Sequence, residues 1–259
     1  MNNVLICYGL FSVNHYYFCH KYYRIVLKQL EPDRKIFAIV VAGGHGRRFG
    51  SDLPKQYLPL DNDMVLTHTL RNFRSVIPAD NIITVIAPSM EDFWTSACRE
   101  SGFHAGPIAH GGATRWESVR NGLMALRDVG PDDFVLVHDA ARPFADAALI
   151  SRVVKALEQG ADGAIPVVPV TDSLREVTED GSSRPVDRSA FRAVQTPQGF
   201  VASKLTAAFT LPYSTRFTDE ATMMQEAGYG NIVLVDGDPR NFKITRPIDL
   251  ILARAILQQ

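Results

Sequence analysis

From Ile36 onward, short apolar runs rich in Ile and Val alternate with amphipathic stretches of helical period. Such alternation is typical of βαβ units, and it predicts an α/β, Rossmann-like fold: a mostly parallel sheet with helices on both faces. In such sheets ligands bind beyond the carboxyl ends of the strands. The predicted strands are Ile36–Val41, Ile82–Ala87, Phe134–His138, Gly163–Val168 and Ile232–Val235. The predicted helices are Val65–Phe73, Ser89–Ser101, Arg115–Arg127, Ala147–Gln159, Asp219–Ala227 and Ile248–Leu257.

One segment, Val170–Gln195, breaks this alternation. It contains a turn signal, Glu179–Ser183, between two mostly polar extended runs with few apolar residues to bury. An isolated hairpin is marginally stable in water. We therefore predict a protruding β-arm at about residues 170–195 that packs on a second subunit and makes the protein a homodimer. An ordinary surface loop is the alternative.

The first 35 residues differ from the rest of the chain. No Lys, Arg, Asp or Glu precedes Lys21, and Tyr and Phe are frequent. The run lacks the basic start of a signal peptide, and polar residues interrupt the roughly 20 apolar positions that a membrane span needs. We expect residues 1–35 to be an appendage, poorly ordered or upstream of the natural start, before a domain at 36–259. A weak signal or membrane anchor is the alternative.

The net charge and the spacing of cysteines and histidines argue against a nucleic-acid-binding protein and against a zinc site. The net charge of -1 argues against a nucleic-acid partner, which would favour a basic excess. Cys7, Cys19 and Cys98 form no CxxC pair, and the seven histidines form no HxxxH pair, so no zinc site is predicted. Reduced thiols suit a cytoplasmic protein without membrane association.

The segment that follows the first predicted strand, AGGHGRRFGSDLPKQYLPL (Ala42–Leu60), is the most informative stretch. Its spacing fits neither the GxGxxG dinucleotide fingerprint nor the P-loop. Glycines here can bring backbone N–H groups close to a phosphate, and Arg48 and Lys55 add positive charge that suits a triphosphate. The glycines concerned are Gly43, Gly44 and Gly46.

Two further motifs stand at predicted element ends. In GGATRWESVRNGL (Gly111–Leu123), Thr114 and Glu117 have the spacing of a capping box at the start of a helix. In VLVHDAARPF (Val135–Phe144), Asp139 falls at the carboxyl end of a buried strand. A carboxylate beside a triphosphate is the usual Mg²⁺ ligand, although an acid here can also form a turn.

Taken in order, these motifs resemble those of the 2-C-methyl-D-erythritol 4-phosphate cytidylyltransferase family of the non-mevalonate isoprenoid pathway. The resemblance is specific to this family because of two segments, PKQYLPL and VLTHTLRNF. It runs from about Ile36 to the C-terminus. It implies an Mg²⁺-dependent enzyme that transfers CMP from CTP to 2-C-methyl-D-erythritol 4-phosphate and releases pyrophosphate. It also implies a homodimer in which the arm of one subunit reaches over the active site of its neighbour.

The resemblance assigns roles residue by residue. It implies nucleotide-binding roles for Ala42, Gly43, Gly44, Gly46, Gly112, Ser118 and Asp139, with Asp139 also the metal ligand. It implies acceptor-binding roles for Arg142, Ser173, Arg188, Thr196, Asp219 and Lys243. The catalytic charges would be Arg48, Lys55, Arg188 and Lys243.

Two other functions are alternatives to this one. The family usually has Ala-Ala-Gly where this chain has Ala42-Gly43-Gly44, a departure similar to ribitol-5-phosphate cytidylyltransferases. The motifs DRSAF and HDAARPF favour the erythritol enzyme. A non-catalytic nucleotide-binding regulator would lack the set Arg48, Lys55 and Asp139, and all three are present.

Overall fold

A computed structural model describes residues 34–44 and 53–258. The expectations for the N-terminal appendage, at residues 1–33, therefore lie outside the described residues. The same holds for residues 45–52, which include the predicted site residues Gly46 and Arg48.

The predicted strands and helices are confirmed, with ends that shift by one or two residues. The strands are β1 Ile36–Ala42, β2 Pro59–Leu60, β3 Asp63–Met64, β4 Ile82–Ile86, β5 Ile108–His110, β6 Phe134–Asp139, β7 Gly163–Pro169, β8 Leu174–Val177, β9 Ser183–Val186, β10 Arg192–Val194, β11 Gln198–Val201 and β12 Ile232–Asp236. The helices are α1 Val65–Arg74, α2 Glu91–Ser101, α3 Arg115–Ala125, α4 Ala147–Glu158, α5 Ala202–Ala208, α6 Glu220–Glu226 and α7 Pro247–Leu257. Short 3₁₀ turns occupy Lys55–Tyr57, Ala79–Asn81, Pro88–Met90 and Arg188–Ala190.

The central sheet is mostly parallel, as predicted. Its strand order is β5-β4-β1-β6-β11-β7-β12, and β10 lies beside β7 on the side of β11. β11 runs antiparallel between β6 and β7, and β10 also pairs with β7 in antiparallel sense. The sequence pattern did not predict β5, β10 or β11, because runs of three or four residues are too short to show a period.

Side chains of the central strands alternate between two buried layers. In β1, Ala38 and Val40 pack under α1, α2 and α4, whereas Phe37 and Ile39 pack under α3, α5 and α6. α3 approaches the sheet closely at Gly122, where an added Cβ would lie 2.5 Å from Ile39 Cγ2. This close approach holds the start of α3 at the edge of the sheet where β1 and β6 end.

A smaller third cluster anchors the C-terminal part of the chain. Ile244, Leu250 and Ala253 pack against Leu60 and Val65, and Pro247 stands in the first turn of α7. Because Ile244 is fully buried, it fixes the preceding residue, Lys243, above the end of β6.

Within the predicted arm, β8 and β9 form an exposed antiparallel hairpin. Its role in dimerisation stays a prediction. No helix within residues 34–44 and 53–258 is long and apolar enough to cross a membrane.

Candidate active site at the carboxyl ends of β1 and β6

A cleft of about 580 Å³ opens at the edge of the sheet where β1 and β6 end. Its size is within the range of small-molecule sites. The described residues that line it are Val41, Gly43, Gly44, Lys55, Gln56, Gly112, Ala113, Thr114, Arg115, Ser118, Asp139, Ala141, Lys243 and Thr245. Most of the described residues with a predicted nucleotide role therefore meet in one place.

Gln56 fixes the glycine segment that follows β1. Its side-chain amide donates to the carbonyl oxygens of Ala42, at 2.5 Å, and Gly44, at 2.8 Å. Only 3% of Gln56 is exposed. The sequence motifs predict no role for Gln56, although it stands next to Lys55, which lines the cleft from the same 3₁₀ turn.

The unusual residue of this segment, Gly43, has room for a methyl group. A Cβ at Gly43 would lie 3.6 Å from Ser118 Oγ and 3.7 Å from the Cα of Gly111, which are ordinary contacts. An alanine therefore fits, and the Ala-Gly-Gly sequence need not change the shape of the cleft.

The second glycine loop is held by the predicted capping box, which is confirmed. The backbone N–H of Glu117 donates to Thr114 Oγ1 at 3.1 Å, and Glu117 Oε2 accepts from the Thr114 and Ala113 N–H groups. Ser118 Oγ accepts from the Gly112 N–H at 3.1 Å and donates to the Thr114 carbonyl at 2.9 Å. Its hydroxyl thus shapes the loop that lines the cleft.

Asp139 is the electrostatic centre of the cleft. It ends β6 with 9% exposure. Among the described residues, three cationic side chains lie within 4 Å of its carboxylate: Lys243 Nζ at 2.8 Å, Arg115 Nε at 3.4 Å and Arg142 Nε at 3.7 Å. Burial by itself raises the pKa of Asp139, but Arg115 and Lys243 outweigh it and hold that pKa well below its usual value. Asp139 is therefore ionised at neutral pH.

Neutral polar groups behind Asp139 hold its backbone. The Asp139 N–H donates to Thr196 Oγ1 at 3.1 Å, so the Thr196 hydroxyl can donate to His138 Nδ1 at 2.9 Å. The remaining nitrogen, Nε2, then donates to the Arg142 carbonyl at 3.0 Å. Burial lowers the pKa of His138 to about 4, which keeps the ring neutral.

Three predicted acceptor-binding residues make contacts inside the fold. Thr196 is buried behind Asp139, as described above. Arg142 donates from Nη1 to the Asn241 carbonyl at 2.9 Å. Asp219 caps α6 by accepting from the Thr222 N–H, and its other oxygen accepts from a neighbouring glutamine amide. Their roles toward an acceptor stay predictions.

The two predicted arm residues do not line the described cleft of their own chain. Ser173 and Arg188 are both exposed, and Arg188 donates from Nη1 to the Thr171 carbonyl. Lys243, by contrast, lies in the cleft.

The sequence motifs predict no role for Arg115 or Glu220. Arg115 Nη1 lies 2.6 Å from Glu220 Oε1, and the two positions are 105 residues apart. Arg115 stands in the motif GGATRWESVRNGL and Glu220 in the predicted helix Asp219–Ala227, but no local signal links these two segments.

The residues present fit a magnesium ion. The described residues contain no group of three acidic, histidine or cysteine side chains that could hold a metal by themselves. Mg²⁺ is commonly bound by one or two carboxylates together with substrate phosphates and water. Each carboxylate oxygen has two acceptor positions, so Asp139 can still accept a further ligand beside its ion pairs.

Comparison with known proteins identifies relatives over almost the whole described chain. A family model described as IspD, 2-C-methyl-D-erythritol 4-phosphate cytidylyltransferase, matches residues 36–259. The enzyme of that name from Bacteroides fragilis is 40% identical over 222 residues, which cover 85% of this chain and 98% of the relative. A bifunctional IspD/IspF enzyme from Paramagnetospirillum magneticum is 42% identical over 222 residues, and the match spans 86% of this chain but only 56% of that relative.

Solved structures agree with these sequence relatives. A crystal structure of 2-C-methyl-D-erythritol 4-phosphate cytidylyltransferase from Thermus thermophilus superposes with a TM-score of 0.70 at 33% identity, covering 87% of this chain and 100% of that one. A 4-diphosphocytidyl-2C-methyl-D-erythritol synthase structure from Anaerococcus prevotii gives a TM-score of 0.72 at 28% identity, covering 87% and 99%.

Replacing Gln56 by glutamate tests its role in holding the glycine segment. Gln56→Glu places a carboxylate against two carbonyl oxygens, and burial raises the pKa of such an acid above its unfolded value of about 4.3. The variant should therefore lose roughly 1 kcal/mol at pH 5 and on the order of 2 kcal/mol at pH 7.5 relative to the parent. Denaturant unfolding of both proteins at the two pH values measures this difference.

The matched control is Gln159→Glu, the same chemical change at the exposed end of α4. Its unfolding free energy should stay within about 0.5 kcal/mol of the parent at both pH values. An equal loss for Gln56→Glu at pH 5 and pH 7.5 would contradict the proposed contact with the two carbonyls.

Proposed function

The chain belongs to the 2-C-methyl-D-erythritol 4-phosphate cytidylyltransferase family, and we propose that the cleft around Asp139 is where it transfers CMP from CTP to 2-C-methyl-D-erythritol 4-phosphate. The observation that carries this assignment is the cleft itself. It brings two glycine loops together with one ionised carboxylate and the cations around it. Family membership also favours the erythritol phosphate over the ribitol phosphate as acceptor.

The reaction is an in-line displacement at the α-phosphorus of CTP. An oxygen of the acceptor phosphate forms the new P–O bond, and the bond to the β-phosphate breaks, so pyrophosphate leaves with the electron pair. A phosphate monoester is already an anion at pH 7 and needs no general base. The main barrier is the approach of two anions, which positioning and fixed positive charge can lower.

Different residues of the described cleft bind the nucleotide, stabilise the developing charge and hold the acceptor. Backbone groups of the loops at Gly43 and Gly112 face the nucleotide, and Ser118 keeps the second loop in the shape that reads the base. Lys55 stabilises charge on the phosphates as pyrophosphate departs. Lys243 leaves its ion pair with Asp139 to hold the attacking phosphate. Ala42 and Gly44 complete the first loop, and Gly46 and Arg48 are proposed to contribute from residues 45–52.

Magnesium is proposed as the cofactor, held by Asp139 together with phosphate oxygens of CTP. When bound, Mg²⁺ neutralises part of the triphosphate charge. The ionised state of Asp139 supports this assignment, since a protonated acid would be a poor ligand for a hard cation.

A homodimer is proposed to complete the acceptor site. In one chain Ser173 and Arg188 do not line the cleft. We infer that the partner's arm supplies both side chains to the acceptor phosphate. Arg142, Thr196 and Asp219 would support that side of the site from within the fold.

The function is tested by measuring pyrophosphate release. With CTP and Mg²⁺ present, release should begin only when 2-C-methyl-D-erythritol 4-phosphate is added, and chelation of the metal should stop it. Ribitol 5-phosphate in the same assay should give at most a small fraction of that rate. CTP hydrolysis without acceptor, or a preference for the ribitol phosphate, would contradict the proposal.

Lys55→Ala should mainly affect turnover. A preorganised charge that acts on the transition state is worth roughly 3 kcal/mol, so kcat should fall about a hundredfold while the KM for CTP changes much less. Steady-state kinetics over a range of CTP concentrations separate the two effects. A variant with near-normal kcat would remove Lys55 from the mechanism.

Mixing two inactive variants tests whether the arm acts between subunits. In a heterodimer of Lys55→Ala and Arg188→Ala chains, one of the two sites has its own Lys55 and a partner arm with Arg188. Random exchange of equal amounts should therefore restore about a quarter of the parent activity. If Arg188 acts on the cleft of its own chain, the mixture will stay as inactive as the separate variants. Lys55→Ala mixed with itself is the control.

A further inference from the structure

Arg115 joins the cleft to α6 through two carboxylates. As the first residue of α3, it places Nη1 2.6 Å from Glu220 Oε1 and Nε 3.4 Å from Asp139 Oδ1. The planar guanidinium can serve both acids at once in a fixed geometry, which a lysine ammonium does not provide. The mechanism described above leaves this bridge without a role.

Burial of the Glu220 carboxylate at this position is unfavourable for the stability of the fold. Glu220 is 3% exposed, and its Oε2 is buried with no hydrogen-bond partner within the described part of the chain. A buried ion pair is often no more stable than apolar residues of the same size, and an unsatisfied carboxylate oxygen adds a further cost. A gain in fold stability therefore does not explain why an acid occupies this position. The contact of Glu220 with Arg115 does explain it.

Side-chain contacts on both sides of Glu220 fix the position of the start of α6. Gln198 donates from Nε2 to Asp219 Oδ2 at 2.9 Å, beside Glu220 in the chain. Trp116 donates from its indole nitrogen to Met223 Sδ at 3.3 Å and forms a second link between α3 and α6. The carboxylate of Glu220 therefore keeps one position relative to the first turn of α3.

Of the three cations within 4 Å of the Asp139 carboxylate, Lys243 and Arg115 differ in their other ion-pair partners. Lys243 is paired with Asp139 alone among the described acids, and in the proposed reaction it turns to the acceptor phosphate. Arg115 is tied to Glu220 as well. When Lys243 turns away, Arg115 still holds the Asp139 carboxylate from 3.4 Å and is itself held by Glu220, while Arg142 lies at 3.7 Å.

We propose that Glu220 is a positioning residue for nucleotide binding, which holds Arg115 against Asp139 so that the Asp139 carboxylate keeps its orientation while Lys243 engages the acceptor. This inference rests on the proposed function, because it takes Asp139 to be part of the CTP site. It gives Glu220, which does not line the cleft, a role that acts through Arg115, which does.

A double-mutant cycle tests the pair. Glu220→Gln keeps the size and one acceptor oxygen but removes the charge, and Arg115→Gln removes the guanidinium. By calorimetry with CTP and Mg²⁺, each single variant should raise the Kd for CTP about tenfold, whereas adding Glu220→Gln to Arg115→Gln should change it less than about twofold. In steady-state assays the KM for CTP should rise while the KM for the acceptor stays within about twofold.

A matched control separates positioning from general stability. Asp162 forms a comparable, partly buried ion pair with Lys204, and neither residue lines the cleft. Asp162→Asn should lower the melting temperature without changing the Kd for CTP. If Arg115→Gln fails to fold because Glu220 is left unpaired, Glu220→Gln and the double variant remain for comparison. The double variant should then bind CTP no more tightly than Glu220→Gln.

The outcomes separate this inference from the proposed function. A Glu220→Gln protein that binds CTP within twofold of the parent overturns the inference. Equal weakening by Glu220→Gln with and without Arg115 also overturns it, because Glu220 would then act independently of Arg115. If the KM for the acceptor rises as much as the KM for CTP, the substitution distorts the whole active site, and this outcome also overturns the inference. A parent protein that binds no CTP refutes both the proposed function and the inference.

Discussion

The cleft depends on one buried carboxylate that keeps its charge. Asp139 stands at the end of a central strand, where burial alone would favour its neutral form. Lys243, Arg115 and Arg142 reverse that preference because all three lie within 4 Å of the carboxylate. Each cation belongs to a different part of the fold, so the charged state of Asp139 requires that those parts pack together correctly.

This arrangement also explains how an anionic residue can serve a site for polyanions. One carboxylate surrounded by several cations leaves the cleft with an excess of positive charge, and Lys55 adds to it. The cations are partly satisfied by Asp139 before any substrate arrives. Phosphate groups can then replace an existing ion pair, so no isolated cation has to be kept buried and unpaired.

The loops of the cleft are shaped by side chains that bond to the backbone. Gln56 binds two carbonyl groups of the first glycine segment, and Ser118 bonds to both ends of the turn in the second. Behind Asp139, neutral His138 and Thr196 fix the strand end and the turn that follows it. Such fixed backbone groups lose little entropy on binding, which suits recognition of a base and a triphosphate.

The sequence by itself determined the α/β fold, the order of the longer elements and the capping box at Thr114, because each depends on residues a few positions apart. It also located the cleft and Asp139, since the carboxyl ends of parallel strands share one edge of the sheet. The short strand β10 forms by pairing with β7, and β11 forms by pairing with β6 and β7; no local period marks either strand. Only the tertiary structure decided that Thr196 turns inward and that Arg115 meets Glu220, 105 residues away. The partners of a buried polar side chain are set by how distant segments pack, and that information is not present in any short stretch of the chain.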